Sequence, residues 1–170
     1  MRQRKQTPQP EVRTYPLPIT KLHGVPALVQ RGLKALRITT CSQLLAAAGK
    51  LEEREALARS AHIVPELLLI IVQRADLARI NGIGVRFGQL LEELGVLDVA
   101  VLARQNPQML HEQLQRLNTA ERLTRRSPTP AEVEDWVSRA RSLPILVHHL
   151  DQASTVSALK AGTSAHSAKQ

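Results

Sequence analysis

The chain has 170 residues, a formal net charge of +8 and a sequence pI of about 10.5, with 43% hydrophobic but only 2% aromatic residues. That length carries one domain or a pair of small ones with a real core, and the charge favours anionic partners without specifying a fold. Aromatics limited to Tyr15, Phe87 and Trp136 exclude the base-stacking platforms of single-strand binders, the lone Cys41 excludes an internal disulfide, and even the apolar run Leu67 to Val72 is too short to cross a membrane.

Leu, Ala, Val and Ile recur at helical spacing, so the expected class is all-α. A lone cysteine suits a reducing compartment, and the basic N-terminus lacks the apolar core of a signal peptide, so a soluble cytoplasmic protein is expected. Residues 1–16 carry Arg2, Arg4, Lys5 and Arg13 against Glu11, with three prolines, and read as a flexible basic arm.

From Leu17 an internal repeat begins. Ile19-Thr20-Lys21-Leu22-His23-Gly24-Val25 aligns with Leu77-Ala78-Arg79-Ile80-Asn81-Gly82-Ile83, 58 residues later. The offset holds through Val29, Leu33, Leu36, Ile38 and Leu44, which match Phe87, Leu91, Leu94, Val96 and Leu102. It then grows to 65, pairing Pro65, Leu68, Val72, Arg74 and Ala75 with Pro130, Val133, Val137, Arg139 and Ala140, as if the second unit had gained a helical turn. Agreement of core, turn and cap positions predicts two pseudo-repeats of helix-hairpin-helix-like units packed into one compact domain over residues 17–150. Repeat 1 spans about 17–77 and repeat 2 about 76–147, with a flexible C-terminal tail at 151–170.

Each repeat reads as hairpin, helix, short helix, another helix, then a longer helix opening at proline. Thr40 and Asp98 are the expected caps of the short helices, Asn106-Pro107 opens another, and Thr129-Pro130-Ala131-Glu132 is a capping box. The pattern places a helix end near Ile80 and buries Ile83, Phe87, Leu91, Leu94 and Trp136. Ile145-Leu146-Val147, beyond Pro144, is expected to dock on the core.

The second hairpin is the centre of the functional expectation. Gly82 and Gly84 permit positive φ, Ile83 anchors the turn, and the next helix opens with unpaired amides suited to a phosphate. Asn81, Gly82, Ile83, Gly84 and Arg86, with Arg79 on the preceding helix, form the candidate nucleic-acid site. Gly88 marks a place for close helix packing. The first hairpin contributes Gly24, Lys21, Arg31 and Lys34. Its Pro26 lacks an N–H where Gly84 has one, and Leu28 stands where Arg86 stands. No acid lies between Glu11 and Glu52, so the hairpin with poorer backbone chemistry has the more positive surroundings.

Residues 17 to about 147 look like a bacterial helical family of helix-hairpin-helix character, catalogued only as a domain of unknown function. The runs that carry the resemblance are Ala75 to Gly84, Leu90 to Val96, Leu102 to Pro107 and Pro130 to Val137. The resemblance implies a compact helical module that grips DNA phosphates through hairpin amides.

No catalytic constellation stands out, and the chain is not expected to be an enzyme. His23, His62, His111, His148 and His149 lack metal spacing with cysteine or acid, and no cofactor is expected. Cys41 matches Val99, and Trp136 matches Ile71, both core positions; Glu132 is used as a cap. Two readings remain: sequence-independent binding of a DNA or RNA phosphate backbone, or a protein-interaction scaffold that uses the hairpin only to pack helices. Hairpin 2 is expected to give phosphate geometry and repeat 1 diffuse attraction. No membrane is expected as a partner, and oligomeric state is not legible.

Overall fold

A computed structural model describes residues 17–149. The expected basic arm at 1–16 and tail at 151–170 lie outside the described residues. Within them the architecture is all-helical: a 3-10 turn at Ile19–Lys21, then α1 Ala27–Ala35, α2 Cys41–Ala48, α3 Leu51–Ala61, α4 Pro65–Leu77, α5 Gly84–Glu93, α6 Val99–Ala103, α7 Pro107–Glu121 and α8 Pro130–Ser142. A single antiparallel bridge, Pro18 to Thr40, ties the entry segment to the start of α2.

Local chemistry sets these boundaries. Thr40 and Asp98 accept the amides of Gln43 and Val101 and so start α2 and α6. Asn106 accepts the Met109 amide with Pro107 at the first helical position, and Thr129 with Glu132 closes a capping box on α8. Helices α1 and α5 stop alike. Arg37 (φ 62) and Gly95 (φ 75) take left-handed conformations, and the amides of Ile38 and Val96 reach back to the carbonyls of Leu33 and Leu91, each at 2.9 Å.

Both halves present the same order of elements, and α7 exceeds α3 by about one turn, with 15 residues against 11. Two cores result. Val29, Leu33, Leu44, Leu68, Ile71 and Val72 belong to the first; Leu90, Leu91, Leu102, Leu114, Val133 and Trp136 belong to the second. Helix α4 supplies both, since Ala75 faces the first cluster and Leu77 the second.

The segment after α8 crosses both cores. Leu143 packs on the second and Leu146 and Val147 on the first. The His148 amide donates to Gly49 O at 2.9 Å, while the buried Arg54 guanidinium donates to Ala48 O, Gly49 O and His148 O. Docking of Ile145-Leu146-Val147 thus holds for the last two, but Ile145 is 54% exposed.

Three expectations need correction. Helix α4 ends at Leu77 rather than near Ile80, because the Arg79 and Ile80 amides turn to Asp76 O and Leu77 O in tighter i to i+3 bonds. Phe87 and Leu94 are half-buried rather than core, although Ile83, Leu91 and Trp136 are fully buried. Gly88 marks no close helix contact: a Cβ there would sit 3.8 Å from Ile83, an ordinary distance. The close approach is at Gly32, where a Cβ would come within 2.8 Å of Ala61 O.

Candidate nucleic-acid interface

Between α4 and α5 the backbone turns through Asn81-Gly82-Ile83-Gly84. Gly82 (φ 95) and Gly84 (φ 56) both occupy the left-handed region that disfavours side chains. A Cβ on Gly82 would also lie 3.1 Å from Trp136 Nε1, whereas one on Gly84 would meet nothing within 4 Å. Ile83 is 1% exposed and pins the turn to the second core. Asn81, Gly82, Gly84 and Arg86 are exposed. No side chain caps α5, so the amides at its start, from Gly84 to Arg86, have no intrahelical acceptor, and Gly84 and Val85 border the gap that Leu22 and His23 also line.

Arg79 is not part of that outward surface. Its guanidinium holds Asp76 Oδ1 at 2.6 Å and donates twice to Pro144 O at 3.1 Å. The other Asp76 oxygen accepts the Val99 amide at 2.9 Å, fastening the end of α4 to the start of α6. Burial raises the Asp76 carboxyl above its ordinary range, while Val99 and Arg79 pull it back. The sequence placed Arg79 beside the hairpin correctly but could not show its inward partners.

Arg86 instead borders an open groove of about 530 Å³ whose opposite wall is the end of α7 and the loop before α8. Arg122 and Arg125 line the same groove, together with Asn118, Thr119 and Thr124. All three arginines are exposed and form no ion pair with another described residue. The loop is held from beneath. Asn118 accepts the Thr124 amide at 2.8 Å and donates to Ser127 Oγ at 3.2 Å. Arg126 grips Glu132 through two bonds of 2.6 and 2.7 Å and lies 5.2 Å over the Phe87 ring, which in turn packs 5.3 Å from Trp136. Those Arg126 bonds, with the Thr129 amide, lower the Glu132 carboxyl from 4.5 to about 2. Sequence reasoning missed Arg122 and Arg125. Their only signal is a basic run just before the α8 capping box, which does not reveal proximity to Arg86.

The first hairpin is engaged internally. Arg74 donates to His23 O at 3.0 Å and Gly24 O at 3.4 Å, and clamps Glu92 of α5 through bonds of 2.7 and 3.0 Å. A Cβ on Gly24 would sit 2.8 Å from Arg74 Nη1. Leu22 and His23 lie against Leu77, Ala78, Ile83, Gly84, Val85 and Gly88, leaving only about 40 Å³ between the two hairpins. Burial there, and Arg74 beside it, lower the His23 pKa despite the nearby Glu92. Glu92, an acid beside hairpin 2, is therefore neutralised. Lys21 is exposed on the 3-10 turn, while Arg31 and Lys34 line a different pocket from Arg86. The sequence-predicted cations thus fall on separate surfaces.

Among the described residues no group of three or more His, Cys, Asp or Glu side chains is placed to hold a metal ion, and no helix is long and apolar enough to cross a membrane. Cys41 is buried, and burial pushes its thiol up to about 11. No curated protein and no solved structure matches the chain. Residues 24–143, which hold hairpin 2 and the arginine-lined groove, match the model of the domain of unknown function DUF4332, and the chain belongs to that family.

Proposed function

We propose that the protein is a non-catalytic, cytoplasmic module that binds the phosphate backbone of DNA without reading base sequence, using hairpin 2 as a helix-hairpin-helix motif. The observation that carries this is the convergence of Arg86, Arg122 and Arg125, from two separate elements, on one open groove at the first turn of α5. Guanidinium forks suit phosphate oxygens, and Arg86 stands in the first turn of α5, whose start has no side-chain cap. A net charge of +8 supplies long-range attraction to any polyanion. No aromatic ring lines the groove for base stacking, and the Asn118 side chain is already engaged with Thr124 and Ser127. An RNA backbone presents the same phosphates, so duplex preference is a matter of shape.

The protein-interaction reading draws support from hairpin 1, whose His23 and Gly24 carbonyls are held by the same Arg74 that clamps Glu92 of α5, so that turn serves helix packing. The two readings assign different surfaces. The test is amide mapping by NMR as a random-sequence DNA duplex is added. Gly82, Gly84, Arg86 and residues 122–125 should shift together. Shifts that spare these residues would remove hairpin 2 as the site.

A further inference from the structure

A second surface is lined by residues that stand 58 positions before those of the first, and no described residue covers it. In the second half, Leu77, Ala78, Val85 and Gly88 are overlaid by Leu22 and His23, and Glu92 on α5 is clamped by Arg74. The residues 58 positions earlier are Ile19, Thr20, Ala27, Gln30 and Lys34. These line a pocket of about 300 Å³ between the 3-10 turn and α1, with Ile38 on its wall and Arg31 beside Lys34 on its rim. Among the described residues, no segment lies over this pocket as hairpin 1 lies over its counterpart.

Charge has been reversed between the two copies. Glu92 receives a cation, whereas Lys34 occupies the matching place and, like Arg31 and Lys21, has no ion pair among the described residues. The pocket itself offers apolar contact through Ile19, Ala27, Leu33 and Ile38. A complementary occupant carries an apolar side chain with a carboxylate beside it. The chain's own first 13 residues are a poor match, because Arg2, Arg4, Lys5 and Arg13 outnumber Glu11 there.

We propose that the pocket between the 3-10 turn and α1 docks an acidic segment of a protein partner. A leucine-sized side chain enters the pocket, as Leu22 covers the equivalent surface, and an adjoining carboxylate pairs with Lys34 and Arg31. Such a rim of cations around an apolar pocket gives both anchoring and orientation. This inference is independent of the hairpin 2 groove, which Arg31 and Lys34 do not line.

The experiment is selection of a random-peptide display library on the full chain, followed by affinity measurement on synthesised hits. Enriched peptides should carry Leu or Ile next to Asp or Glu, and Lys34→Glu should weaken them about tenfold, the effect of one good ion pair. Selection on Lys34→Glu should turn the preference to Lys and Arg. Both substituted side chains, Arg31 and Lys34, are exposed, and an unchanged melting temperature verifies that the variants fold. Absence of enrichment, or hits indifferent to Lys34→Glu and Arg31→Glu, would overturn the proposal. So would concentration-dependent self-association abolished by Lys34→Glu, which assigns the pocket to a second copy. Loss of oligonucleotide affinity in Lys34→Glu as large as in Arg86→Ala would overturn it too, by giving the rim to nucleic acid.

Discussion

Asp76 is 1% exposed, with the Val99 amide on one oxygen and Arg79 on the other, so removing its carboxylate strands two buried or half-buried donors. Asp76→Ala should therefore destabilise the protein by about 3–5 kcal/mol in a denaturant titration. Arg79→Ala should also lower stability yet leave oligonucleotide affinity nearly unchanged, because its guanidinium already serves Asp76 and Pro144 O. Glu132 gives a pH signature. Its folded pKa of about 2 lies below the ordinary 4.5, so its contribution to stability is present above 4.5 and is lost as pH falls toward 2. Side-chain NMR should find that low midpoint, and Arg126→Ala should raise it; an ordinary midpoint in the unsubstituted chain would contradict the bidentate pair. At this scale the sequence singled out Arg86 through its spacing from Gly84, and the structure leaves its side chain exposed. It did not reveal the internal partners of Arg79, because an ion pair between residues 76 and 79 looks on paper like any helical surface pair. Arg122 and Arg125 were invisible because their neighbour Arg86 is more than 30 residues away along the chain.

Among the elements, the caps were the most legible features. Thr40, Asp98, Asn106-Pro107 and the Thr129/Glu132 box act within four residues, so their chemistry is complete in the sequence. The end of α4, where the Arg79 and Ile80 amides turn to Asp76 O and Leu77 O, was not legible, and neither was the half-burial of Phe87, which lies under Arg126. The hairpin glycines separate into two roles that sequence could not distinguish. Gly84→Ala meets no neighbour and should cost only left-handed strain, about 1–2 kcal/mol. Gly82→Ala carries the same strain and also crowds Trp136, so thermal melts should show the larger loss for Gly82. Equal losses would mean that Trp136 yields freely to the added methyl.

For the whole molecule, two cores share α4 and are strapped by residues 143–149. Ending the chain after Ser142 removes Val147, Leu146 and the His148 bonds, and should cost at least about 1.5–3 kcal/mol, the worth of burying one apolar side chain. An unchanged denaturation midpoint would show that the strap adds nothing. The matched element order was readable because core, turn and cap positions recur together; the placement of the two hairpins side by side was not, since it depends on Arg74 bridging His23 and Glu92. That placement leaves hairpin 2 near three arginines and ties two carbonyls of hairpin 1 to Arg74. The most direct test of phosphate binding there is the salt dependence of affinity for a random-sequence duplex. We compare the unsubstituted chain with the Arg86→Ala, Arg122→Ala, Arg125→Ala triple variant. The log–log slope should fall by roughly one for each arginine removed, about three in all, with little change between duplex sequences. An unaltered slope in the triple variant, or no duplex binding by the unsubstituted chain at physiological salt, would contradict the assignment.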